Sequence, residues 1–122
     1  MNRPIKFRAW DKQSKEWFLN SVSLRQIYCF MPPKEEWLVG LEWSESTGLH
    51  DKNGKEIYEG DIFQDDEDGS CEYVEWDKEF GGWSTQAWYS VGEFAQNAER
   101  LEVIGNIYEN PELITLSPRA AR

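Results

Sequence analysis

The sequence predicts a mainly β protein with antiparallel sheets, a small SH3-like barrel within residues 55–110 and one short helix near residues 91–99. Several short segments alternate apolar and polar residues, as half-buried strands do, and turn-forming pairs separate them. A helix-start signal, the capping box of Ser90 and Glu93, precedes the helix. Aromatic residues make up 15% of the 122 residues, which is enough to build a core in a chain this polar.

The N-terminal segment predicts a β-hairpin. Residues 5–10 (IKFRAW) alternate apolar and polar positions, DKQSK at 11–15 is a polar turn, and EWFL at 16–19 is the return strand. Residues 20–34 fit either a helix or a strand, and Pro32-Pro33 ends whichever of the two forms.

The segment TGLHDKNGKEIYEGDIF at 47–63 contains residue types found in metal sites and catalytic loops. Its Asn-Gly pair favours a type I′ hairpin turn instead. A calcium loop counted from Asp51 needs an oxygen ligand at the fifth position and a Glu at the twelfth, where Lys55 and Ile62 stand. Glu59-Gly60-Asp61 is interpreted as a turn before a strand, with glycine supplying the backbone geometry and aspartate capping it. No metal or cofactor is therefore expected.

Further strands are predicted where β-forming residues cluster. They are EWLVGLEW at 36–43, with Gly40 as a candidate bulge, CEYVEW at 71–76, and LEVIGNIY at 101–108. Residues 80–89, with Gly81-Gly82, are either another strand or a hairpin arm. Asn110-Pro111 ends the last strand, because proline cannot donate to a sheet. The acidic run at 65–68 is interpreted as a solvated loop.

Two segments of the chain resemble each other. AWDKQSKEW at 9–17 and EWDKEFGGW at 75–83 each contain a Trp-Asp strand end, a polar turn and a second tryptophan. Because the segments are short, we interpret them as a repeated kind of hairpin rather than as a duplication.

Composition narrows the class of protein. No apolar run approaches the roughly 20 residues of a membrane span, and the N-terminus lacks the apolar core of a signal peptide. Cys29 and Cys71 are far apart in sequence, which fits two thiols in a reducing compartment. We therefore expect a cytoplasmic protein.

The net charge of −10 is unevenly distributed. Residues 1–34 carry seven basic and two acidic side chains, whereas residues 35–118 carry four basic and twenty-one acidic ones. The basic N-terminal hairpin could contact nucleic acid, whose phosphates attract such charges. The candidate contacts are Arg3, Lys6, Arg8, Lys12 and Lys15.

The sequence favours a binding function over an enzymatic one. His50 is the sole histidine, and neither cysteine is near it in sequence, so a His-rich zinc site is excluded. An enzyme would need Asp51, Glu59 or Asp61 in a cleft with His50 or a metal, and no nucleophile or phosphate-binding motif is present.

Three segments together resemble the YopX family of bacteriophage and prophage proteins. They are IKFRAWDKQSKEWF at 5–18, TGLHDKNGKEIYEGDI at 47–62 and LEVIGNIYENPELI at 101–114, and VEWD at 74–77 fits the same pattern. His50 stands where the family leads us to expect a lysine or a similar polar residue. The resemblance implies a small, mainly β, phage- or prophage-encoded protein of the host cytoplasm, and it brings no catalytic residues.

The favoured hypothesis is a non-enzymatic accessory module that binds a host or phage protein, or a second copy of itself. The alternative is a nucleic-acid binder that uses the basic N-terminal hairpin. We expect one domain, 1–122, comprising an N-terminal hairpin and connecting region (1–46), a barrel-like part (47–114) and a loose tail (115–122).

Overall fold

The computed structural model describes residues 5–23, 26, 40–64, 69–85 and 89–115. In these ranges nine strands form sheets of four, three and two strands, and the pairings of β1 with β2 and β3, of β5 with β6 and β9, and of β7 with β8 are antiparallel. The predicted mainly β, antiparallel fold is thus confirmed. Within the described ranges the sheets do not close into a barrel. No helix there is long and apolar enough to cross a membrane.

The chain divides into two compact units, Met1–Gly48 and Leu49–Arg122. In the first unit the central strand is β1, and β2 and β3 flank it. The bounds are β1 Lys6–Asp11, β2 Glu16–Ser23 and β3 Leu41–His50, the last of which continues into the second unit. Residues 20–23 therefore extend β2, whereas most of the ambiguous segment 20–34, and residues 36–39 of the strand predicted at 36–43, lie outside the described residues.

The second unit contains the remaining elements. They are β4 Glu56–Tyr58, β5 Asp61–Gln64, β6 Cys71–Tyr73, β7 Glu75–Asp77, β8 Gly82–Ser84, α1 Val91–Asn97, a 3-10 turn Ala98–Arg100, β9 Gly105–Asn106 and α2 Pro111–Thr115. The predicted helix near 91–99 is confirmed, and α2 is a second short helix that the sequence reading did not include.

The core of the second unit forms where α1 packs against the strands. Its buried side chains are Ile57, Phe63, Val74, Phe94 and Ala98. The rings of Phe63 and Phe94 lie 6.0 Å apart. Burying an aromatic side chain removes about 150–250 Å² from water, so these two rings are major contributors to the stability of the unit.

The strand predicted at 101–108 is shorter in the structure, where only Gly105–Asn106 is a strand. The backbone groups of residues 101–104 hydrogen-bond to three different partners instead of to one neighbouring strand. The Lys52 N–H donates to the carbonyl of Leu101, the Val103 N–H donates to a carboxylate, and the Ile104 N–H donates to the carbonyl of Ile62. This segment has strand-like composition but no single strand to pair with.

The two similar segments form two similar hairpins, β1–β2 and β7–β8. Trp10 and Trp17 are cross-strand partners with ring centroids 5.0 Å apart and an interplanar angle of 73°. Trp76 and Trp83 are equivalent partners, at 5.0 Å and 76°. Such edge-to-face pairs each contribute about 0.5–1.5 kcal/mol beyond the area they bury. Both similar segments are therefore hairpins with the same cross-strand tryptophan pair.

An aspartate caps the turn of each hairpin in the same way. Asp11 Oδ1 accepts the N–H groups of the residues two and three positions later, at 2.9 and 3.2 Å. Asp77 Oδ1 does the same at 2.9 and 3.1 Å. The last loop residue then adopts a positive φ, 60° at Lys15 and 68° at Gly81.

We expect the substitution Lys15→Gly to raise the free energy of unfolding by about 1 kcal/mol, because a positive φ is strained for a residue with a Cβ. Gly81→Lys is the matched reverse change, and it should be destabilising by a similar amount, since no atom lies within 4 Å of a Cβ built there. Urea denaturation of both variants measures the effects. A destabilised Lys15→Gly variant would mean that the lysine side chain supports the turn.

Candidate functional site

The Asp51–Lys55 segment is a hairpin turn, as predicted, but the predicted type I′ is wrong. That type needs a positive φ at both central residues, and of Asn53 and Gly54 only Gly54 has one, at 81°. Both carboxylate oxygens of Asp51 accept backbone N–H groups. Asp51 is 4% exposed. Its Oδ1 accepts the N–H groups of Asn53 and Lys55, both at 2.9 Å, and its Oδ2 accepts the N–H of Val103 at 3.0 Å. Burial raises the pKa of Asp51, but the three N–H donors outweigh it and the pKa lies below its ordinary value. Through these hydrogen bonds the carboxylate connects the turn at 51–55 to the segment that contains Val103.

The Glu59-Gly60-Asp61 segment is also a structural turn, as interpreted from the sequence. Gly60 has a φ of 90°, and the buried Asp61 accepts the Tyr58 N–H through Oδ2 at 2.8 Å. His50, at the end of β3, is exposed. In the described part of the chain, no three His, Cys, Asp or Glu side chains are grouped so that they could hold a metal ion.

The five basic residues considered for nucleic-acid contact lie in different environments. Arg8 is buried: its Nε donates to Ser44 Oγ at 3.1 Å, and its guanidinium carbon lies 4.5 Å from the centroid of the Trp17 ring. Lys12 Nζ lies 3.6 Å from a carboxylate oxygen of Glu42 in an exposed ion pair. The other three are Lys6, which is half-buried, Lys15, which is exposed, and Arg3, which is outside the described residues.

A cavity of about 440 Å³ lies beside the β7–β8 hairpin and the start of α1. The hairpin end, the following strand and the helix start each contribute to its wall. The lining residues are Asp77, Glu79, Phe80, Ser84, Tyr89, Ser90 and Glu93. Clefts of about 300–1,000 Å³ are the size of small-molecule pockets. We call this the hairpin cavity.

The close approach of β8 to α1 determines which side chains face the cavity. A Cβ at Gly82 would overlap the side chain of Val91, so only glycine allows this packing. Side chains two positions apart in a strand point to the same face, and Ser84 therefore faces α1 as Gly82 does. Ser84 is 1% exposed, and its hydroxyl has no hydrogen-bond partner within the described part of the chain.

The hairpin cavity is strongly negative. Three of its seven lining residues, Asp77, Glu79 and Glu93, are carboxylic acids, and none is basic. Glu93 accepts the Ser90 N–H at 3.2 Å, as the predicted capping box requires, and it also accepts the Ser90 O–H at 2.7 Å. These two bonds lower the pKa of Glu93, so it is ionised at neutral pH.

Two aromatic side chains of the same hairpin are exposed. Phe80, in the turn, is 72% exposed and lines the cavity, and Trp76 of β7 is 46% exposed. The sequence predicts a strand or a hairpin arm at 80–89, and Gly82–Ser84 is such an arm, but the exposed position of Phe80 in the turn before it was not predicted. The available signal was the comparison of the two hairpins, because the first has Ser14 where the second has Phe80 in the same polar turn.

Comparisons with known proteins agree with this fold. The chain is similar to protein EF1440 from Enterococcus faecalis, known from a crystal structure, with 27% sequence identity and a TM-score of 0.60. The similarity covers 93% of this chain and 99% of that one. The comparison with curated proteins gives no match. A sequence model of the family described as YopX protein matches residues 6–115. The chain belongs to the YopX family, as the resemblance of its sequence indicated.

Proposed function

We propose that this chain is a phage- or prophage-encoded accessory protein that acts in the host cytoplasm as a non-enzymatic protein-interaction module. The observation that carries the proposal is the exposed aromatic pair on the β7–β8 hairpin beside the hairpin cavity. Contiguous exposed apolar surface marks interaction sites, and Trp, Tyr and Arg are enriched among the residues that dominate the binding energy of protein interfaces.

Hydrogen bonds and ring packing hold the backbone of the hairpin that carries these aromatics. Asp77 caps the turn through two N–H groups, and Trp83 packs against Trp76 at one end and against the core at the other. A surface that is ordered before binding loses less conformational entropy on binding, so more of its contact energy appears as affinity. Phe80 can therefore act as an anchor residue for a partner protein.

The nucleic-acid alternative has less support from the charges of the described residues. Arg8 is buried against Trp17, and Lys12 lies beside Glu42, so neither adds an unpaired positive charge to an exposed face. The aromatic residues of the β7–β8 hairpin adjoin carboxylates, which repel phosphate. The SH3-like barrel at 55–110 and self-association of the chain remain predictions.

The substitution Phe80→Ser tests the interaction surface. We expect bacterial proteins that the wild-type chain retains from nuclease-treated lysate to be reduced at least tenfold on the variant, because burying a phenylalanine at an interface contributes about 1.5–3 kcal/mol. Quantitative mass spectrometry of the eluates measures the change. Phe80 is mostly solvated, so unfolding by urea should be nearly unchanged.

Ile104→Ser is the matched control, because Ile104 is also exposed, at 39%, but does not line the cavity. Its retained proteins should equal those of the wild type. If Phe80→Ser and Ile104→Ser retain the same proteins as the wild type, this hairpin is not the interaction surface. If retention depends on nucleic acid and is lost with nuclease, the alternative replaces the proposal.

A further inference from the structure

We propose that the hairpin cavity receives an arginine side chain of the partner protein. This inference rests on the proposed interaction function and states the chemistry by which the partner is recognised. Three features of the cavity carry it: its charge, an unsatisfied buried hydroxyl and its aromatic wall.

The charge of the cavity favours a cation. Its three carboxylates come from different places, at the end of β7, in the turn and in α1. The start of a helix carries a partial charge of about +0.5, which offsets only a fraction of three negative charges. Lys78 lies in the same turn but is not part of the cavity wall. A cation that spans the cavity can contact carboxylates on more than one side.

The buried hydroxyl of Ser84 has no hydrogen-bond partner within the described residues, and it can accept a bond from an incoming donor. A buried polar group without a partner costs about 1–3 kcal/mol, and an incoming N–H would remove this penalty. A guanidinium offers five N–H donors in a planar arrangement and has no acceptor, so it can serve Ser84 and a carboxylate together. An ammonium group has three donors at a single point and spans the cavity less well.

The aromatic wall favours arginine for a second reason. Phe80 and Tyr89 both line the cavity, and guanidinium groups stack on aromatic faces. The first hairpin contains the same chemistry within the chain: Arg8 lies over Trp17 and donates to Ser44. In the aligned pattern of the second hairpin, the buried core residue Val74 stands where the first has Arg8, so this hairpin has no arginine of its own at that position.

The test is an NMR titration of the full chain with the peptide acetyl-Gly-Arg-Gly-amide. We expect saturable shifts of the amide signals of Phe80, Ser84 and Ser90. The same peptide with citrulline in place of arginine keeps the shape but lacks the charge, and it should leave these signals unmoved. Equal shifts with both peptides, or shifts with neither, would overturn the proposal.

Two variants, with a third as the matched control, localise the binding. Glu79→Gln should weaken the peptide at least threefold, as loss of one partly exposed ion pair does, whereas Glu99→Gln removes the same charge from outside the cavity and should have no effect. Ser84→Ala should weaken binding without loss of stability, because the hydroxyl has no partner to lose within the described residues. Equal effects of Glu79→Gln and Glu99→Gln would mean that the peptide senses only net charge.

Capture of the partner protein by the variants distinguishes the proposed interaction surface from the proposed arginine site. If Phe80→Ser loses the captured protein while Glu79→Gln and Ser84→Ala retain it, the interaction surface stands and the arginine site is wrong. If all three variants lose it while Glu99→Gln retains it, both proposals are supported. If none loses it, the interaction surface itself is wrong.

Discussion

Replacing Gly60 with alanine is expected to lower the free energy of unfolding by about 3 kcal/mol, since strain and crowding act together. Gly60 is buried and has a φ of 90°, a conformation that L residues rarely adopt. A Cβ there would lie 3.0 Å from Cε2 of Tyr108 and 3.1 Å from Cγ1 of Ile107. These neighbours are held in place, because the Ile107 N–H donates to the Gly60 carbonyl. Urea denaturation measures the loss.

Gly54→Ala separates the two causes of this effect. Gly54 also has a positive φ, 81°, but no atom lies within 4 Å of a Cβ built there. It should therefore cost only the backbone strain, about 1 kcal/mol. If Gly54→Ala and Gly60→Ala were equally destabilising, crowding against Tyr108 and Ile107 would contribute nothing.

Replacing Asp51 with asparagine is expected to cost about 3 kcal/mol of unfolding free energy. The carboxylate accepts three backbone N–H groups, and a carboxamide of the same shape has one oxygen and one NH₂ group. The NH₂ group must face at least one of these N–H donors, which then stays buried without an acceptor. The bond to Val103 joins residues 52 positions apart, so its loss also loosens the packing of the 101–104 segment.

The same carboxylate gives the stability a defined dependence on pH. Because the pKa of Asp51 in the folded protein lies below its ordinary value of about 3.9, the unfolded chain takes up the proton first as the pH falls. The contribution of Asp51 is thus complete above about pH 5 and decreases as the pH falls through 4 toward the folded-state pKa. Thermal unfolding between pH 3 and 7 should show a flatter profile for Asp51→Asn than for the wild type.

Asp11→Asn is the matched control for both measurements. Asp11 also accepts two turn N–H groups and has a lowered pKa for that reason, but these bonds are exposed to water, which can replace the lost acceptor. Its effect on stability should be clearly smaller than that of Asp51→Asn. Equal effects of the two substitutions would show that the contact of Asp51 with Val103 adds no stability.

The sequence predicts best those features in which residues close together in the chain determine the backbone conformation. The Asn53-Gly54 turn, the capping of Ser90 by Glu93 and the two Trp-Asp hairpins depend on contacts a few residues apart, and all four are present. The segment 101–108 shows the limit of this reasoning. Its alternating composition predicts a strand, but a side chain 52 positions earlier captures the N–H of Val103.

The hairpin cavity could not be predicted, because it forms between elements that are distant in sequence. Ser84 and Glu93 come together only because Gly82 lets β8 approach Val91. The sequence showed each residue in a local role, as part of a strand or as a helix cap. Periodicity does not reveal that a serine on a buried strand face lacks a partner, since that depends on the neighbouring element.

The carboxylates that support the turns also determine how the protein behaves in acid. The isoelectric point is about 4.5, so colloidal repulsion between molecules vanishes near that pH. Asp51 is still ionised there, because its pKa is below the usual range. At the isoelectric point the contribution of Asp51 to the unfolding free energy has therefore only begun to decrease, and protein precipitated there should redissolve when the buffer is neutralised. Further acidification protonates Asp51 itself and removes its contribution to the unfolding free energy.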